Sequence, residues 1–434
     1  MARTPGELIG ALTADARRRL VVLPDPQAAH DPQAIAELVG ALRDLGHLRI
    51  VTGTWSDEAE TAETADADGA PPDLEDPAAV CAGDPFRVTA AYDLQGDAHG
   101  GLRDLEDPAA VCAGDPFRVT AAYDLHGEAH GGLRAAWFRA GPSLIRDQPV
   151  SGRALVLLTA LGDDADPRLR PALTALAADA PWRVDWTRVR GDLTPPWPGP
   201  VAALAHGTGR WADHLLVCDQ RGTIRSLHPD DATPMAGSVP MPVRITALAP
   251  LPDGTLLMLD ERGRPHTHGR TPLTEAVAAT LAKHPGTALA ATDGLVLAGD
   301  RHGSLHAFGL RGLHQAAPHR GRVTSVTVLH DPAPLVCSGG ADGTVHTWSP
   351  GGSAGGAPLT ERPCPVVALS GLGPALAVAW ADGLVELRRL DTGEVLGFRP
   401  GQPVRGLAVC GDRSVVIGTD ESLFRLTARP APAP

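Results

Sequence analysis

Lysine is nearly absent from this sequence: Lys283 is the single one among 38 basic residues, and arginine supplies the rest. Against 51 acidic residues this leaves a net charge of −13, which argues against nonspecific nucleic-acid binding, a mode carried by Lys and Arg contacts to phosphate. No apolar run approaches the roughly 20 residues of a membrane span. The first residues lack the basic-then-apolar layout of a secretory leader, because Gly and Thr interrupt Leu8, Ile9, Ala11 and Leu12, and Asp15 follows. The expectation is a cytoplasmic protein that binds neither membrane nor nucleic acid. The lysine-poor, Arg- and Ala-rich composition suggests a high-GC, actinobacterial genome.

No Cys-x-x-Cys pair occurs among Cys81, Cys112, Cys218, Cys337, Cys364 and Cys410. These are expected to be reduced and mostly buried, behaving as small apolar side chains. No Gly-x-Ser-x-Gly occurs, and the Ser, His and Asp residues are too scattered to nominate a catalytic triad.

Turn formers are plentiful. Gly (49) and Pro (41) exceed a fifth of the 434 residues, favouring many turns over long helices, and the length allows two or three domains. The tightest repeat is a direct one. Asp73–Arg103 is followed without a gap by Asp104–Arg134, and the 31-residue copies differ only at Gln95/His126 and Asp97/Glu128. Such identity exceeds what folding demands, so it reads as a recent duplication: one structural unit plus one tolerated insertion.

A looser period runs through the C-terminal half. A turn centred on Gly222, Gly263, Gly303, Gly343, Gly383 and finally Ser422 recurs at intervals of 41, 40, 40, 40 and 39 residues, each time between two short apolar runs. A further apolar run precedes each unit, as in Arg244–Ala249 and Arg322–Leu329. Forty residues of short strands joined by Gly/Asp turns is the pattern of a four-stranded propeller blade. From about Pro200 the chain resembles WD-repeat propellers, with SGGADGTVHTW ending at Trp348 as the nearest unit, although the Gly-His dipeptide of that family is missing throughout. The fold class expected is mainly β, with a C-terminal propeller of about six blades and seven left open. The last blade shows three strands, and Trp182–Val189 is a candidate to complete it.

The N-terminal half reads differently. Leu20–Leu23, a helix over Asp31–Leu45 and Leu48–Val51 make a βαβ unit, after a first helix over Thr4–Arg19. An acidic stretch follows, with nine Asp/Glu and no Lys or Arg from Asp57 to Asp76, and 56–72 is expected to be a disordered linker. Ala135–Ile145, Gly152–Leu161 and Pro167–Ala178 suggest a helical module, and the Pro-rich Leu193–Pro200 leads into the propeller. The domains expected are thus 1–55, 56–72, the duplication 73–134, the module with its linker 135–199, and the propeller 200–434.

The block around residues 17–55 resembles the middle of a STAND-type P-loop NTPase, of the actinobacterial kind often labelled ATP/GTP-binding proteins. The resemblance implies a Walker B strand, a helix, and a strand ending in a Gly-Thr-Arg sensor. This chain departs from each part. No G-x-x-x-x-G-K-[ST] is present, so nothing cradles the phosphates. Pro24 takes the likeliest Walker B Asp position, with Asp25 one residue later and Gln27 and Ala28 where an acidic pair is expected. Gly53-Thr54-Trp55 replaces the sensor. The segment reads as a truncated or degenerate NTPase that neither binds a nucleotide cofactor nor hydrolyses one.

Smaller constellations carry no chemistry of their own. His126 and His130 have a metal-ligand spacing, but glycines surround them and the sister copy has Gln95. His302, His306 and His346 sit on turns or strands with no partner set. Trp182, Trp186 and Trp197 are expected to pack in the core or between domains. The function expected is a non-enzymatic scaffold or sensor that presents the propeller face to a protein partner, with no cofactor or metal. The alternative is a STAND-type regulatory NTPase whose P-loop portion is supplied elsewhere.

Overall fold

The computed structural model describes residues 105–126, 130–189, 201–235, 237–309, 312–330, 334–352, 356–411 and 413–430, and the strands Arg19–Leu23 and Leu48–Thr52. Those two strands pair in parallel with Arg19 opposite Leu48, as a βαβ unit requires. The helices expected over Thr4–Arg19 (save Arg19, which opens the first strand) and Asp31–Leu45, the acidic linker, and the first repeat copy with Cys81 and Gln95 lie outside the described residues. So do Trp197, and the positions Pro24, Asp25, Gln27, Ala28 and Gly53–Trp55 that carry the NTPase resemblance.

The chain divides into two compact units, 1–103 with 117–127, and 104–116 with 128–434. The helix Pro116–His126 of the second repeat copy belongs to the first unit from Phe117 onward. In the second, α1 (Pro108–Ala113) starts at Asp107, whose carboxylate accepts the N–H groups of Ala109 and Ala110. After a 3₁₀ turn that begins at His130, the helical module follows as α2 (Leu133–Leu144), α3 (Val150–Ala160) and α4 (Leu169–Leu176). These agree with the three helices expected over Ala135–Ile145, Gly152–Leu161 and Pro167–Ala178.

The remainder is a ring of six antiparallel sheets. Blade one holds Val201–His206, Leu215–Asp219, Thr223–Leu227 and Val239–Pro240, from the channel outwards. Blade two has Ile245–Pro250, Leu256–Asp260 and Pro265–His268. In place of a fourth strand there, the chain forms α5 (Pro272–Leu281), capped by Thr271, with Val277 and Leu281 buried in the core shared with blade three. Blade three is Ala288–Thr292, Leu295–Gly299, Leu305–Gly309 and Gly312–Ala316. Blade four is Val323–His330, Pro334–Gly340, Thr344–Trp348 and Thr360–Glu361. Blade five is Val366–Leu372, Ala375–Trp380, Val385–Arg389 and Val395–Phe398.

Blade six closes the ring. Gly406–Gly411, Ser414–Gly418 and Ser422–Ala428 are joined by Trp182–Val189, which pairs antiparallel with the last strand from Trp182 opposite Ala428 to Val189 opposite Ser422. The propeller therefore takes up a strand that precedes Pro200. Second strands such as Leu256–Asp260 and Ala375–Trp380 are apolar along nearly their whole length and fully buried, because blades cover both of their faces.

Two tryptophans of the closing strand reach sideways. Trp182 donates its Nε1–H to Gly397 O of blade five at 3.0 Å, and Trp186 donates to Pro229 O of blade one at 2.9 Å. Both are buried, and Trp186 shares a core with Val201, Leu215 and Val217 of blade one. The packing role expected of these two holds. On the outer side Thr187 donates its hydroxyl to Leu158 O of α3 at 3.0 Å, which ties the helical module to the ring.

Candidate interaction face

In blades one to five, the turn from second to third strand and the connection to the next blade meet at the same end of the disc. The N–H groups of Met241, Gly286, His319 and Arg362, each on a connection, donate to the carbonyls of Gly222, Gly263, Gly303 and Gly343. These four glycines and Gly383 have φ between +75° and +92°, the left-handed region that favours glycine. At Gly343 a Cβ would lie 2.1 Å from Arg362 O, so the approach of the connection also demands a bare Cα. The sixth position differs: Ser422 opens a strand, and the Thr419 hydroxyl accepts its N–H at 2.9 Å, giving a turn that needs no left-handed residue.

Aspartate organises the other turns in two ways. In blades one to three it stands three residues before the glycine. Asp219 Oδ1 accepts the N–H groups of Arg221 and Thr223, and Asp260 Oδ1 those of Arg262 and Arg264. Asp300 Oδ1 does the same for His302 and Ser304. The second oxygen faces the residue six positions on: Arg225 at 3.7 Å, His266 at 3.2 Å and His306 at 3.1 Å. His306 thus has the carboxylate partner that its sequence context did not reveal.

In blades four and five the aspartate moves next to the glycine. Asp342 Oδ1 accepts the Thr344 hydroxyl at 2.8 Å, and its Oδ2 accepts the Arg320 N–H at 2.8 Å. His319, wholly buried, spans from Asp342 Oδ1 (3.2 Å at Nδ1) to Ser338 Oγ (2.9 Å at Nε2), and the His346 ring meets it edge-on at 5.2 Å. Burial disfavours the imidazolium of His319 more than Asp342 favours it, so its pKa is lowered. Burial also opposes ionisation of Asp342, but the Arg320 N–H and the Thr344 hydroxyl outweigh it and lower its pKa. A search for Gly-His dipeptides passes over His319 because Pro318 precedes it; its place before Arg322–Leu329 is the signal that could have found it.

On blades five and six the charges are paired. Asp382 is bound by Arg362 at 2.6 Å and by Arg399 at 2.9 Å. Burial works against its carboxylate, yet these arginines and the Leu384 N–H bring the carboxyl down to about 2. Arg405 forms a two-point pair with Asp420, and Glu421 is held by Arg139 of α2. Ser143 of the same helix donates to Arg399 O at 2.8 Å.

The channel between the blades encloses about 250 Å³. At its mouth on this face each blade contributes one residue: Ala202, Thr246, Thr287, Thr324, Val367 and Arg405. The threonine hydroxyls are spent on backbone carbonyls, as from Thr287 to Val323 O at 2.6 Å and from Thr324 to Gly339 O at 3.0 Å. Below, the wall is mainly Ala, Leu and Val. His206 and Arg405 are its only ionisable groups among the described residues, and the wall serines Ser325 and Ser370 accept the N–H groups of Leu369 and Val409.

Of the other candidates, His126 ends its helix and His130 begins a 3₁₀ turn; among the described residues no group of three His, Cys, Asp or Glu is placed to hold a metal. No described helix is long and apolar enough to cross a membrane. Cys112, Cys218 and Cys337 are free and buried.

No known protein family matches the chain, and no curated protein does. The NTPase resemblance of the N-terminal block thus gains no support. Among solved structures, the computationally designed Ika8 protein is similar over 53% of this chain and 71% of its own, at 19% identity and a TM-score of 0.35. The WD40 β-propeller domain of Doa1 is similar over 57% of this chain and 97% of its own, at 11% identity and a TM-score of 0.37. The pairing of the strands themselves establishes the architecture: this chain carries a six-bladed β-propeller, closed by a strand from the N-terminal side.

Proposed function

We propose that this chain is a non-enzymatic protein-interaction scaffold that engages its partner through the turn-and-connection face of the propeller. The observation that supports this best is the contrast between a rigid frame and its chemistry. Carboxylate and histidine hydrogen bonds fix the turns, while the channel they surround holds one imidazole, His206, and no carboxylate among the described residues. Loops held on a stiff ring suit recognition, since their exposed residues can vary without disturbing the strands.

A photo-crosslinking residue placed at Gln220 or Glu361 on this face, and at Ala212 or Asp253 in turns at the other end, tests the reading in the full-length protein. One protein captured saturably from the first pair and not from the second is the expected result. Equal capture from both ends, or turnover of a small molecule abolished by changes in the channel wall, would refute it.

A further inference from the structure

The turn-and-connection face is electrically lopsided. Blades one to three place Arg221, Arg262 and Arg301 in their turns, and the connections that follow add Arg244, Arg320 and Arg322. Arg264 and Lys283, the lone lysine, extend the same arc. All eight are exposed, and none has a carboxylate within ion-pair distance among the described residues. The nearby carboxylates are already committed, because Asp219, Asp260, Asp300 and Asp342 bind the backbone N–H groups of their own turns and connections. Only Glu261 adds an exposed negative charge to these turns. On blades five and six, by contrast, Arg362, Arg399 and Arg405 are neutralised by Asp382 and Asp420, and α2 abuts the surface there.

An open arc of unpaired cations on a chain of net charge −13 is a local positive field, complementary to an anionic occupant. We infer that this arc docks an acidic peptide segment, rich in Asp and Glu, of a protein partner. The inference rests on the scaffold reading above and names the chemistry of its partner. Arginine makes up seven of the eight cations, and its planar fork pairs with a carboxylate through two hydrogen bonds. A nucleic acid fits less well. Its charge is unbroken at about one per 1.7 Å of duplex, so a duplex would run beyond the arc, and the remaining protein surface repels it. A short acidic peptide has no such continuation.

The test measures binding of a fluorescent twelve-residue Glu/Ser peptide to the full-length protein by anisotropy, at 50 and 200 mM salt. It is compared with an all-Ser/Gly peptide and with single-stranded and duplex oligonucleotides. Charge reversal at four exposed positions, R221E/R262E/R301E/R320E, leaves the side-chain bonds of the turns in place, and a thermal melt checks that the fold survives. R210E, in a turn at the opposite end of the channel, is the control. The expected result is micromolar binding of the acidic peptide alone, weakened at least tenfold by the quadruple reversal and several-fold by the added salt, and unchanged by R210E. No binding, or equal binding to the folded quadruple variant, overturns the proposal. So does an oligonucleotide that binds more tightly than the peptide and loses affinity with the reversal. If the Gln220 crosslinker still captures its protein in the quadruple variant, the scaffold reading stands and only the acidic-peptide assignment falls.

Discussion

Ring closure at Trp186 yields a quantitative expectation. This side chain is 6% exposed, sits in the core between blades six and one, and donates to Pro229 O. Replacing a buried tryptophan by alanine costs about 3–5 kcal/mol through lost burial and the cavity left behind. The abandoned carbonyl adds little, because Arg425 also donates to Pro229 O at 3.0 Å. Trp186→Phe keeps most of the apolar volume and loses the hydrogen bond, which is worth about 1 kcal/mol net, so its total is about 1–2 kcal/mol. Urea titration followed by near-ultraviolet circular dichroism measures both, and Trp186→Ala should lower the melting temperature by on the order of 10 °C. An alanine variant within about 1 kcal/mol of the parent would refute the closure argument. A phenylalanine variant as damaged as the alanine one would show that the hydrogen bond, not packing, holds the seam.

Gly383→Ala should cost only about 1 kcal/mol, since its φ is +83° but nothing lies within 4 Å of the added Cβ, whereas Gly343→Ala meets Arg362 O and should cost at least about 3 kcal/mol by urea titration. Stability should fall as pH drops below about 6.5, because the unfolded chain takes up a proton there that buried, neutral His319 resists. His319→Gln should flatten that slope in part, with His206, also lowered chiefly by burial, keeping the rest; an unchanged slope would contradict the assignment. Burial pushes the thiols of Cys112, Cys218, Cys337 and Cys410 up to about 12, so iodoacetamide at neutral pH should leave these four unmodified in native protein and label them after unfolding, as read by mass spectrometry.

Period and turn chemistry made the propeller legible in sequence. Gly222 through Gly383 mark the blades because a left-handed turn tolerates few other residues, and the missing fourth strand of the last blade pointed upstream to Trp182–Val189. The helix in blade two was hidden by the assumption of four strands per blade, although Thr271 and Pro272 spell a helix start. His319 was hidden because its partners, Ser338 and Asp342, are 19 and 23 residues away, and no local pattern reports such a contact. The basic arc was masked by the charge summed over the whole chain. Net charge is a property of composition; the repeat puts Arg221, Arg262 and Arg301 in equivalent turns, but only the fold brings the connections with Arg244, Arg320 and Arg322 beside them.

The closing strand also sets a timetable. Trp182–Val189 leaves the ribosome about 240 residues before the strand that will pair with it, a loop whose closure contributes to slow folding. Through that interval its outer neighbour is already made, since α3 precedes it and receives the Thr187 hydroxyl. The helical module thus holds the strand from its outer side, and the inner edge stays open until Ser422–Ala428 arrives. At high concentration the waiting strand of one chain can accept the last strand of another, so an exchanged dimer is the characteristic misassembly this topology invites.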